Sequence, residues 1–107
     1  MNYKVVIGAQ AEKDIKDIYN YISFELCDPV SAAQQIKRIT ERILALDSLP
    51  ERHRKYSTGM WNMKNLRVMP VDKYLVFYDI DIETLTVTAS RILYSGRDIK
   101  TLLKREN

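Results

Sequence analysis

The chain has 107 residues, 46% of them hydrophobic and 29% charged, which fits one globular domain over residues 1–107 and excludes disorder or a second core. No apolar run reaches the roughly 18 residues of a membrane span, and the opening "MNYKVVIGAQ" lacks a signal-peptide core, so a cytoplasmic protein is expected, not a membrane one. The net charge of +3 is uneven, −1 over residues 1–50 and +4 over residues 51–107, which makes the second half the expected contact for an anionic partner.

"YKVVIG", Tyr3 to Gly8, reads as a short strand with Gly8 as its exit. From Ala11 the apolar residues fall at Ala11, Ile15, Ile18, Tyr19, Ile22 and Leu26, the stripe of an amphipathic helix with Glu12, Lys13, Asp14, Lys16 and Asp17 on its wet side. "CDPVSAAQQ" interrupts it. Asp28 followed by Pro29 predicts an N-cap with proline in the first helical turn, where its missing N–H costs nothing. A second stripe, Val30, Ala33, Ile36, Ile39, Ile43 and Leu46, runs to Leu49-Pro50. So short a link predicts an antiparallel helical hairpin.

"ERHRKYSTGMWN", Glu51 to Asn62, has no periodicity and predicts a cationic loop in which Tyr56 and Trp61 lid the core. Three strand-like runs come next: Leu66 to Met69, Tyr74 to Ile80, and Leu85 to Tyr94. "PVDK" and "DIET" are short enough for hairpin links. Ser95 with Asp98 resembles a capping box, with Ile99, Leu102 and Leu103 on one face of a short final helix. The order β-α-α-β-β-β-α predicts an α+β fold: a two-helix antiparallel hairpin packed on a mostly antiparallel sheet of about four strands. The sheet's other face is expected to be partly open, with arginines from the second half gathered there.

Enzyme chemistry is sparsely supplied. One His and one Cys exclude an intrachain disulfide and a zinc site, and three distant glycines exclude a phosphate loop, so neither metal nor cofactor is expected. What remains is basic and aromatic: Arg52, His53, Arg54, Lys55, Lys64, Arg67, Arg91, Tyr94 and Arg97. Guanidinium groups fork onto phosphates, and a His or Tyr moves a proton, so metal-free RNA cleavage is one use of such a set. The plainer use is structural, with "ERHRK" a solvated loop and Arg91 paired to an acid such as Asp98 or Asp79.

Taken together, "AEKDIKDIYNYI", "AAQQIKRITERILALDSLPERHR", "LRVMPVDKYLVFYDID" and "ASRILYSGRDIKTLL" resemble the RelE/ParE superfamily of bacterial type II toxin–antitoxin toxins, from Tyr3 to Leu103. The resemblance implies the same two-helix-on-sheet fold, growth inhibition, and neutralisation by a cognate antitoxin. RelE-like members cut mRNA on the ribosome, which would make Arg67, Arg91 and Tyr94 catalytic. Arg52, His53, Arg54, Lys55, Lys64 and Arg97 would then bind RNA or another target. Where the YoeB-like pattern has an arginine before the central strand and a histidine before the late tyrosine, this chain has Tyr74 and Leu93. ParE-like members instead inhibit DNA gyrase without a nuclease centre. "LDSLPERHR" and "RILYSGRD" look similar to that branch, so gyrase is the favoured target and the ribosome with its mRNA the alternative.

Overall fold

Strand β1, Lys4–Ile7, alternates exposed and half-buried residues and leads through Gly8 into helix α1, Ala9–Asn20. The computed structural model of the protein describes residues 2–55 and 66–96. Gly8 donates its N–H to Ala89 O at 2.8 Å while its carbonyl accepts from Glu12 N at 2.9 Å, so one residue ends the strand and starts the helix. Beyond Asn20 the helix widens into a π turn, Tyr21–Glu25, closed by Leu26 N on Tyr21 O at 3.1 Å. Cys27, left-handed at φ 55°, then turns the chain back.

Helix α2, Pro29–Leu44, begins as predicted: the Asp28 carboxylate accepts from Ser31 N at 3.1 Å and Ser31 Oγ at 2.7 Å, with Pro29 next in line. Buried on α2 are Ala32, Ile39 and Ile43, followed by Leu46 in the 3-10 turn after it, with Ile36 half-buried. The expected stripe is therefore corrected at its start, because Val30 is 67% exposed and Ala33 is exposed too, while Ala32 faces inward instead. On α1, Ala11, Asp14 and Ile18 are buried and Tyr19 is exposed; past the π turn Leu26 is exposed as well. The π turn adds a residue to one helical turn and rotates the residues after it off the core face. Asp14, expected on the wet side, is inside.

The sheet order is β1-β4-β3-β2, with β2 at Arg67–Val71, β3 at Tyr74–Asp81 and β4 at Thr86–Tyr94. β2 and β4 flank β3 antiparallel, while β1 runs parallel to β4 from Lys4↔Thr86 to Ile7↔Ala89. β4 outlasts β1, so among the described residues its edge beyond Ala89 has no strand beside it and faces α1. The β3–β4 register slips between Phe77 and Tyr78, which face Arg91 and Ala89 and leave Ser90 as a bulge.

The main core lies between the hairpin and one sheet face, where Ile39, Ile43 and Leu46 meet Met69, Val76, Tyr78, Val87 and Ile92. The opposite face is not the open, arginine-lined surface expected. It carries a second buried cluster of Leu66, Val68, Phe77 and Leu93. Residues of β3 alternate between these clusters, which is why its sequence reads as apolar throughout. The expected final helix, from Ser95 through Leu103, and the expected lid residues Tyr56 and Trp61 fall on or run into positions outside the described residues.

Candidate functional site

Arg91 sits on β4 just past the bulge, and its guanidinium turns towards α1. Its Nε donates to Asp14 Oδ2 at 2.8 Å and its Nη2 to Asp14 Oδ1 at 3.2 Å. The side chains are only 12% and 7% exposed. Asp14 Oδ2 also accepts Ile92 N–H at 2.9 Å, a main-chain donor on the stretch of β4 that β1 does not reach. One carboxylate thus satisfies a buried cation and a sheet edge together. Asp98 lies outside the described residues; the acid that the described residues supply is one from the first helix, not Asp79. Its position, three after Ala11 and four before Ile18, was the available signal, since it lies on the apolar stripe.

Tyr94, at the end of the same strand, is 46% exposed and meets Tyr74 edge-on, with centroids 6.0 Å apart. Its ring lies over Gly96, where an added Cβ would come within 2.6 Å of Tyr94 Cε2. Tyr74 and Tyr94 stand at a groove of about 930 Å³ whose other walls include Tyr21, Asp17, Arg38 and Lys73. Burial first, then the neighbouring phenols of Tyr21 and Tyr94, raises the Tyr74 hydroxyl above its ordinary pKa. Arg38 Nε donates to Asp72 Oδ2 at 2.7 Å and Gln35 Nε2 to the same atom at 2.9 Å, clamping α2 to the β2–β3 turn.

The remaining described candidates gather elsewhere, around the chain leaving α2. Arg67 Nη1 donates to the carbonyls of His53 at 2.7 Å and Glu51 at 3.1 Å, and Arg52 Nη1 to Ser48 O at 2.9 Å. Val68 N–H donates to Arg54 O at 3.0 Å, and Lys55 bridges Arg67 as a short extra edge on β2. His53 stands edge-on to Tyr78 at 6.3 Å, and its buried Nε2 has no hydrogen-bond partner among the described residues. Burial lowers its pKa, helped by the charges of Arg52 and Arg42, so the imidazole is neutral at physiological pH. Arg42, on α2, is a member of this group that the sequence alone did not single out. Lys64 and Arg97 lie outside the described residues.

The candidates therefore form two groups, not one. His53 abuts Tyr78 and Tyr94 abuts Tyr74, four positions apart on β3, which is about 13 Å of strand. Arg67 and Arg91 lie on strands to either side of β3. No group of three His, Cys, Asp or Glu among the described residues is placed to hold a metal ion, and none of their helices is long and apolar enough to cross a membrane.

A family profile described as "ParE toxin of type II toxin-antitoxin system, parDE" matches residues 5–99, nearly the whole fold just described. The chain belongs to the ParE toxin family. This ParE-family chain is thus a type II toxin–antitoxin toxin of the RelE/ParE superfamily. No curated protein sequence matches it. Among solved structures, a chain of the ParDE system of P. aeruginosa is similar at TM-score 0.71 and 14% identity, over 86% of this chain and 95% of that one. A chain of the Mycobacterium tuberculosis RelBE2 toxin–antitoxin complex is similar at TM-score 0.67 and 17% identity, over 88% and 99%. A doubly substituted mutant of the E. coli RelE toxin, in the free state, gives TM-score 0.67 at 12% identity over 98% of both chains. At these identities the likeness establishes the α+β fold shared by ParE and RelE toxins.

Proposed function

We propose that this toxin arrests growth by inhibiting DNA gyrase and that a cognate antitoxin neutralises it. The observation that carries the choice of target is Arg91 held against the buried Asp14 of α1. RNA cleavage without a metal needs cations and a proton-transfer group converging on one phosphate. Here the charge of Arg91 is already compensated by a carboxylate, Tyr74 stands where a nuclease of the YoeB-like pattern has an arginine, and His53 and Tyr94 abut tyrosines about 13 Å apart on β3. The family match is to ParE toxins, and this agrees with gyrase as the target.

The antitoxin reading draws support from similar folds being found in the ParDE system and in RelBE complexes. An acidic segment that orders on binding suits the positive second half of the chain.

The test is a paired assay with purified toxin. Gyrase supercoiling of relaxed plasmid should fall as toxin is added, and mRNA on translating ribosomes should stay intact. Full supercoiling activity alongside ribosome-dependent mRNA cuts would overturn the gyrase reading and install the nuclease one.

A further inference from the structure

Of the cations around the chain leaving α2, two are pinned by main-chain carbonyls and none pairs with a carboxylate among the described residues. Arg52 and Arg67 donate to backbone carbonyls, which fixes their guanidinium groups without cancelling their charge. Arg42, Arg54 and Lys55 are exposed, and their side chains make no hydrogen bond or ion pair among the described residues. The acids nearby are fewer than the cations. Asp72 is taken by Arg38, whereas Glu51, which accepts from the Tyr3 hydroxyl at 3.1 Å and whose charge opposes Arg52 and Arg67 at Tyr78, and Glu41 on α2 keep their charge. The positive field is felt by its neighbours: Arg42 acts on both His53 and Asp72, lowering each, and Arg52 and Arg67 both act on Tyr78.

The five charges come from a helix, a turn, a loop and a strand. They therefore make a face, not a single point site, and the extra bridge of Lys55 on β2 ties the main chain of that residue to it. Cations spread over several elements match the regularly spaced charges of a polyanionic backbone better than a single anionic group. We propose that Arg42, Arg52, Arg54, Lys55 and Arg67 form a surface that grips the phosphate backbone of double-stranded DNA. The assignment of duplex DNA rests on the gyrase reading, because gyrase holds such a duplex as its substrate. The contact is to phosphates and has no sequence preference. It would seat the toxin on the enzyme–DNA complex, not on gyrase alone.

The experiment uses the full chain and a labelled mixed-sequence DNA duplex, read by fluorescence anisotropy across salt. If the five cations each displace one counterion, log affinity falls with log salt at a slope of about −4.5, or about 500-fold from about 50 to about 200 mM. Arg54→Gln with Lys55→Gln should reduce that slope to about −2.7, and Arg42→Glu should weaken binding further. All three positions are exposed, and unchanged melting temperatures show that the variants fold. Tyr21→Ala, in the groove away from this surface, should leave DNA binding unaltered.

Absence of duplex binding, or binding that the substitutions leave intact, overturns the proposal. So does preference for an RNA duplex or a poly-glutamate peptide over DNA. The same variants tested in gyrase supercoiling separate the two claims. Wild-type toxin that inhibits gyrase but ignores DNA sinks the surface alone. Wild-type toxin that binds DNA with the expected slope but leaves gyrase active sinks the gyrase reading and keeps the surface.

Discussion

Replacing Asp14 by alanine removes three attachments at once: both guanidinium contacts of Arg91 and the acceptor for Ile92 N–H. With side-chain exposures of 12% and 7%, neither solvent nor salt screens the pair effectively. Breaking one partner of a buried pair costs about 3–5 kcal/mol, because the surviving charge is left uncompensated. The orphaned Ile92 N–H adds about 1–3 kcal/mol where water does not reach it. Asp14→Ala should therefore lower unfolding free energy by about 4 kcal/mol or more, measured by urea denaturation. Asp14→Asn keeps an acceptor for Ile92 and should cost less. Arg91→Met should cost less than Asp14→Ala, since the carboxylate keeps the Ile92 donor. The double variant Asp14→Ala with Arg91→Met should recover part of the loss, leaving a coupling of about 1–3 kcal/mol in the cycle. A loss under about 1 kcal/mol for Asp14→Ala, or strict additivity in the cycle, would refute the claim that this pair latches α1 to β4.

Two further outcomes concern buried or clamped groups. Tyr78 donates its hydroxyl to Pro50 O at 2.6 Å, and burial pushes its pKa up to about 12. Because the folded state holds that proton more tightly than the unfolded chain, its contribution is complete below the ordinary tyrosine range and is lost as pH rises towards about 12. Tyr78→Phe should cost about 1–2 kcal/mol at neutral pH and flatten that alkaline loss, as read by denaturation at a series of pH values. Asp72 is held below its ordinary pKa by hydrogen bonds from Arg38 and Gln35, so its contribution is present above the normal carboxylate range and lost as pH falls through the depressed value. Arg38→Gln should move the Asp72 titration upward towards the ordinary range in a carboxyl-detected NMR experiment; an unmoved midpoint would contradict the clamp.

Local pattern carried most of the fold. The periodicity of residues 11–26 and 30–46, the Asp28-Pro29 cap and the alternation of Leu85 to Ser90 each reflect contacts within a few positions, and the hairpin and strands stand where those patterns put them. The combined motifs also pointed to the right superfamily. Three matters depended on partners far along the chain. The parallel pairing of β1 with β4 joins residues about eighty positions apart, and nothing in "YKVVIG" names its neighbour. The π turn at Tyr21–Glu25 rotated the helix tip away from the core and left Leu26 56% exposed. Most consequential was Asp14. A carboxylate among charged residues reads as solvated, because transferring it inside is costly unless a cation and a main-chain donor await it. Both arrive from β4, seventy-seven and seventy-eight positions later. The residue types, and so the available chemistry, were determined by the sequence. Whether Arg91 faced a partner or an interior acid was decided only by tertiary packing, through the bulge at Ser90 and the approach of α1 to β4 past the end of β1.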